Sequence, residues 1–142
     1  MALIANGILL VWFFLDMTGF KLGESILVTR AYREDGVFFL IFLVAIVLFW
    51  KQEKLGKYIL SVWLFLWFFT QFVSHWVFTI SGKGSEKSVF FAETIKLISS
   101  GERYIPDLYH LVLHVLILIS IVFTLRCMLA KRAGEKSGAS KI

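Results

Sequence analysis

The sequence predicts an all-α integral membrane protein: a four-transmembrane-helix bundle with a short amphipathic interfacial helix between helices 3 and 4. Three observations carry this. Hydrophobic residues make up 58% of the 142, and mean hydropathy is +0.80, whereas an average soluble domain is about 45–50% apolar. The apolar residues collect in four runs separated by charged stretches. The charges of the connecting segments alternate between basic and balanced, as the positive-inside rule asks of successive spans.

Helix 1 is expected at 3–20, interrupted only by Asn6 and Asp16. No Lys or Arg precedes it and no A-x-A-like site follows it, so it reads as a helix of the mature protein and not as a signal peptide. The loop after it is polar and shows no readable element. Helix 2 is expected at 36–51. Its uncharged run, 37–50, is short, and Lys51 extends it by snorkelling its ammonium to the interface. Helix 3, at 58–81, lies inside an uncharged run from 58 to 82, ample for a hydrocarbon core of about 30 Å. The interfacial helix is expected at 86–99. Phe90, Phe91, Thr94, Leu97 and Ile98 share one side at helical spacing, opposite Glu93 and Lys96, and Gly101 is a natural stop. Helix 4 is expected at 106–129, closing a domain of residues 1–132. The tail 133–142 is small and charged, and is expected to be disordered.

The connection between helices 2 and 3 carries Lys51, Lys54 and Lys57 against Glu53. The segment after helix 4 carries Arg126, Lys131, Arg132, Lys136 and Lys141 against Glu135. Both are basic, whereas the first and third connections balance their charges, so both termini are expected on the cytoplasmic side. The net charge of +5 is therefore an orientation signal. The basic residues flank helices without a groove-reading motif, which argues against nucleic acid as a partner. A lone cysteine, Cys127, excludes an intrachain disulfide, a CxxC redox motif and a thiolate metal cage.

Asp16, His75, His110 and His114 stand out because an ionisable side chain in hydrocarbon costs about 2.5–3.5 kcal/mol on insertion scales. All four are expected toward the outer side. Asp107, His110 and His114 share a helix face at i, i+3 and i+7; Gln71, His75 and Thr79 share another at i, i+4 and i+8. Helix 2 has no polar side chain inside its run except the Trp50 indole. Each residue also has a structural use. Asp107 follows Pro106 at a helix start, His75 sits beside Trp76 at interfacial depth, and Asp16 has Arg30 or a histidine as a prospective partner.

Three chemistries suit the cluster. His75, His110 and His114 with Asp16 offer the donors of a Zn or Cu ion, although Leu111 stands where H-E-x-x-H zinc proteases place Glu. One histidine from each of helices 3 and 4 offers axial ligands for haem, against which stands the lack of Gly or Ala in those helix cores. His75, His110, His114 and Tyr109 offer hydrogen bonds to a quinone, with aromatic walls from 15 Phe and 5 Trp. Small residues that let membrane helices approach are scarce: Gly7 is the only glycine well inside an expected helix, and there is no GxxxG. The chain therefore reads first as an accessory or anchor subunit of a larger membrane complex, with a redox-cofactor or quinone site at its outer histidines. The alternative is a stand-alone small membrane metalloenzyme or transporter using Asp16, His75, His110 and His114. The expected partners are the lipid bilayer and other membrane subunits or further copies of the chain.

Overall fold

Each long apolar run folds into helix. The structure, a computed structural model, describes residues 1–82, 89, 91–98, 100 and 103–139, with 131–139 described through the backbone alone. Helix α1 spans Ala2–Thr18, α2 Tyr32–Lys51, α3 Glu53–Phe72, α4 Phe78–Ser81 and α5 Leu108–Ala139; a π-helical turn, Val73–Val77, joins α3 to α4. Strands β1 (Phe20–Leu22) and β2 (Ser25–Val28) pair as an antiparallel hairpin in the first loop. The chain is thus mostly helical, as expected for an all-α protein. Two helical stretches are long and apolar enough to cross a membrane: Glu53–Ser81, with the π turn inside it, and Leu108–Ala130. Helix α1 is apolar but has 17 residues, and α2 carries Arg33, Glu34 and Asp35 in its opening turn.

The helices form a closed ring, α1 against α2 and α5, and α3 against α2 and α5. The inward residues follow helical spacing: Leu60, Leu64 and Trp67 on α3, Leu113 and Ile117 on α5, Phe42, Ala45 and Phe49 on α2, Leu9 and Phe13 on α1. Trp67 is the centre of this core, with its ring 4.5 Å from Phe13 and 5.2 Å from Phe42. The outward faces are apolar as well, with Ile8, Val44, Phe69 and Val122 all exposed.

Two polar clasps hold α1 to α5. Near the chain start, the buried Asn6 amide donates to Thr124 Oγ1 at 3.1 Å and to the Ala2 carbonyl at 2.9 Å. Near the other end, Trp12 and Tyr109 stack at 5.5 Å; Trp12 Nε1 donates to the Tyr109 carbonyl (3.2 Å), and the Tyr109 hydroxyl donates to the Trp12 carbonyl (3.4 Å).

Helix α3 begins five residues before the expected position 58. Glu53, Lys54, Leu55 and Lys57 are good helix formers, and Glu53 in the first turn complements the helix dipole. Gln52 alone connects α2 to α3; its N–H donates to the Leu48 carbonyl (2.7 Å), and its carbonyl accepts from Gly56 N–H (2.8 Å). So tight a joint presses the two backbones together at Gly56, where a Cβ atom would stand 2.3 Å from Phe49 Cα. Gly56, which falls between the expected helices at 36–51 and 58–81, is therefore a close-approach glycine of this bundle.

At the opposite end, Gly23 takes the positive φ (+61°) that the two-residue hairpin turn needs. The hairpin folds back over the bundle, burying Leu27 and Val28, and Ala31 N–H donates to the Asp16 carbonyl at 2.8 Å. Of the expected interfacial helix at 86–99, Val89 is helical and the described residues from Phe91 onward are not. Phe91–Glu93 make a turn, Thr94 bridges Ile26 in parallel, and Leu97 and Ile98 bend; residues 83–88, 90 and 99 lie outside the described residues. The physical reason is lateral pairing. Ile95 N–H donates to the Ile26 carbonyl (3.0 Å), and the Ile95 carbonyl accepts from Leu108 N–H (2.8 Å), so the hairpin and α5 take the groups a helix would use. The backbone of α5 stays helical through Ala139, past the expected tail boundary at 133; residues 140–142 lie outside the described residues.

The two glycines Gly7 and Gly56 make opposite predictions. Gly56→Ala forces backbone apart at the α2–α3 joint and should destabilise by about 1–3 kcal/mol. Gly7→Ala meets nothing within 4 Å and should be neutral or stabilise by up to about 1 kcal/mol through helix propensity. Thermal unfolding in detergent micelles measures both, and the reverse order would show that α2 and α3 are not in close contact.

Candidate functional site

The site is organised by Asp107, the N-cap of α5. Its Oδ1 accepts the His110 backbone N–H at 3.0 Å and the His110 ring Nδ1–H at 2.6 Å. One carboxylate oxygen thus satisfies an orphan donor of the helix start and fixes the orientation and tautomer of the imidazole. Pro106 precedes the cap, so α5 opens at Leu108 and not at the expected position 106. One turn further on, the His114 Nδ1–H donates to the His110 carbonyl. His114 also interacts with the Gln71 backbone, and its ring meets Phe68 and Trp76 edge-on.

His75 lies in the π turn, where the α-helical ladder is widened; such turns recur at functional sites. Its ring is buried, 4.1 Å from the His110 ring and 5.8 Å from His114. Its Nδ1 bonds the hydroxyl of Tyr104, a buried residue of the segment before α5. Burial, and then the adjacent Asp107, push the Tyr104 phenol above its ordinary range, so it remains a neutral donor. Phe91 packs over the group, its ring 5.2 Å from His110 and 5.9 Å from Tyr104.

Beside the histidines is a cavity of about 100 Å³. Asp16 from the last turn of α1, Glu34 and Asp35 from the first turn of α2, Asp107 and His110 line it, together with Val28 at the end of β2, Thr29, Ala31 and Phe91. The Asp16 and Asp35 carboxyls face each other at hydrogen-bonding range. Asp107 is 1% exposed, and its Oδ2 has no partner among the described residues. Glu34 is exposed and marks the mouth.

The structure therefore brings His75, His110, His114 and Asp16 to one end of the bundle. Asp16 faces Asp35 and not Arg30, whose guanidinium lies 4.8 Å over the Tyr32 ring. Tyr109 stands apart from the cavity, its hydroxyl occupied in the clasp with Trp12. Haem does not fit between His75 and His110, because the two rings are in contact and leave no plane for a macrocycle. Among the described residues no group of three or more His, Cys, Asp or Glu is arranged to hold a metal ion, so the Zn or Cu sphere expected from His75, His110, His114 and Asp16 is not formed. A cavity of about 100 Å³ is also well below the roughly 300–1,000 Å³ of pockets that enclose a quinone-sized ligand.

Sequence reasoning missed Glu34, Asp35, Phe91 and Tyr104. A signal existed for the first two: acidic residues favour a helix's first turn, which would have moved the start of α2 back to Tyr32. No local signal marks Tyr104. No known protein family, curated protein or solved structure matches the chain.

Asp107→Ala should lower stability by about 0.5–2 kcal/mol through loss of the cap, and should free the His110 tautomer. Asp107→Asn keeps the cap and should retain most of that stability. Thermal unfolding and imidazole ¹⁵N shifts report the two effects; equal losses in both variants would mean that charge, and not capping, sets the stability.

Proposed function

We propose that the chain is a small multi-pass membrane protein whose four helical stretches (α1, α2, α3–α4 and α5) all cross the bilayer with both termini cytoplasmic. It serves as an accessory subunit of a larger membrane complex and contributes a proton-carrying cluster at its outer end. The alternation of basic and balanced connections supports the four spans and the orientation. Exposed apolar faces on every helix suit lipid or neighbouring subunits.

One observation carries the proton reading. Asp16, Asp35, Asp107, His110, His75 and Tyr104 make a run of buried or half-buried groups, each of which binds or donates a proton, drawn from α1, α2, α5, the π turn and the segment before α5. Within the run, Asp107 Oδ2 is buried without a partner among the described residues. An unmet buried acceptor costs about 1–3 kcal/mol. A relay uses an acceptor that fills and empties. A second reading, a stand-alone transporter built on the same residues, is favoured by the cavity with its mouth at Glu34. The geometry offers no support for the metalloenzyme, haem or quinone readings.

Three measurements test this. In a Cys127→Ser background, an impermeant thiol reagent applied to intact cells should label Ser85→Cys and spare Ser137→Cys; the reverse pattern overturns the orientation. Infrared spectra should show a protonated carboxyl stretch at neutral pH that shifts in D₂O and is lost in Asp16→Asn. A wild-type protein without that band sinks the relay. Affinity purification in mild detergent should recover a stoichiometric membrane partner, and a chain that purifies alone transfers the proposal to the transporter.

A further inference from the structure

We propose that the outward face of α1 binds one anionic phospholipid, with an acyl chain along the helix and the phosphate at Lys21 and Arg30. This rests on the reading of α1 as a membrane span and adds a lipid ligand to it. Two adjoining pockets carry the inference. The first is an apolar groove of about 520 Å³, lined by Ile4, Gly7, Ile8, Val11, Trp12 and Leu15. Gly7 opens it: a Cβ there would meet nothing within 4 Å, while Ile4, Ile8 and Val11 around it are exposed. The second, of about 430 Å³, lies one turn further along the chain. Its lining includes Thr18 and Gly19 at the end of α1, and Lys21, Thr29 and Arg30 from the hairpin and its exit. Gly7, Val11, Leu15 and Thr18 stand at i, i+4, i+8 and i+11, so one stripe of α1 joins the groove to the pocket.

Charge selects the headgroup. Lys21 and Arg30 line the second pocket, and no Asp or Glu does. Neither forms an ion pair among the described residues. The Arg30 guanidinium lies over the Tyr32 ring at 4.8 Å, a contact that spends none of its N–H donors on a carboxylate. The backbone holds Arg30 beside the end of α1. At Gly19, with φ +72°, a Cβ would stand 3.2 Å from the Arg30 nitrogen, and Ala31 N–H donates to the Asp16 carbonyl at 2.8 Å. Val28 and Thr29 line both this pocket and the acidic cavity, and so part the basic residues from the carboxyls. Phosphate oxygens take charge-assisted hydrogen bonds from Arg and Lys, and basic residues at the membrane surface favour anionic lipids. Length agrees with charge. Ile4 to Leu15 rises about 16 Å, close to one leaflet's half of a hydrocarbon core about 30 Å thick. A lipid with its phosphate at Lys21 therefore lays one chain over the whole groove. A zwitterionic headgroup brings its own ammonium to two cations, and a free phosphate leaves the groove uncovered.

The test counts lipids bound to the full chain by native mass spectrometry in detergent, titrating dioleoyl phosphatidylglycerol and dioleoyl phosphatidylcholine separately. One tightly bound phosphatidylglycerol is expected, at a concentration about tenfold or more below that needed for phosphatidylcholine. Lys21→Gln with Arg30→Gln, both at exposed positions, should abolish this preference and leave the unfolding temperature unchanged. Lys51→Gln with Lys54→Gln lowers the net charge equally at the other end of the bundle and should preserve the preference. Equal losses in the two pairs would reduce the effect to net charge and overturn the site. Gly7→Leu fills the groove from a position whose Cβ meets nothing, and should weaken phosphatidylglycerol binding about fivefold or more. Unchanged binding in that variant overturns the proposal, and so does a change of oligomeric state in place of weakened binding, which would give the groove to a second copy of the chain. Displacement of the lipid by inorganic phosphate at equal concentration also overturns it, by assigning the pocket to free phosphate. Thiol labelling separates this site from the topology it rests on. The expected labelling without a lipid preference rejects the site alone, and a reversed pattern with the preference intact rejects the orientation alone.

Discussion

The two hydrogen bonds that His110 gives to Asp107 Oδ1 set the histidine-bearing end of this molecule. They decide where α5 begins, and so the height of every residue on it. They aim the His110 imidazole back toward the helix start, where it meets His75 of the π turn, and they leave Asp107 Oδ2 buried without a partner among the described residues. A side chain that caps a helix, orients an imidazole and lines a cavity ties local structure to site chemistry. Capping groups on surface helices carry no such second burden, because water completes their hydrogen bonding.

The bundle that presents this end is held by contacts of modest individual strength. A typical intramolecular hydrogen bond contributes about 0.5–1.5 kcal/mol net, so Asn6 on Thr124 and the Trp12–Tyr109 clasp position α1 against α5 more than they stabilise it. Cohesion comes from interdigitated aromatic and aliphatic side chains around Trp67, and from close contact of α2 with α3 at Gly56. Tyr109 of the clasp lies two residues after the Asp107 cap, so the fixed end of α5 is also the end that bears the histidines.

The helices and the convergence of the histidines were legible in the chain. A polar side chain at i, i+3 and i+7 in an otherwise apolar helix has one good direction to face, and two adjacent helices with such stripes bring them together. The departures share a cause. The π turn, the pairing of Thr94 with Ile26 and the contact of Asp16 with Asp35 all depend on residues far away in sequence, which periodicity does not register. Asp35 was counted among loop charges because the apolar run starts at Val37, although the helix begins at Tyr32. The aromatic stretch at 90–98 has helical spacing, but its described backbone is claimed from both sides by the hairpin and α5. The haem expectation failed on a quantity no sequence displays, the separation of two rings.

The single-residue joint at Gln52 makes α2 a ruler. Helices that share so short a connection cannot slide past one another, so the lysines around the joint fix the level of one end of α2. Twenty residues of helix rise about 30 Å, the thickness of a bilayer's hydrocarbon core. In the four-span arrangement proposed above, anchoring Lys51 at the cytoplasmic boundary therefore delivers Glu34 and Asp35 to the opposite boundary, where hydrocarbon gives way to headgroups. The depth of the acidic cavity is then dictated from the far side of the membrane, by a turn that makes no contact with it.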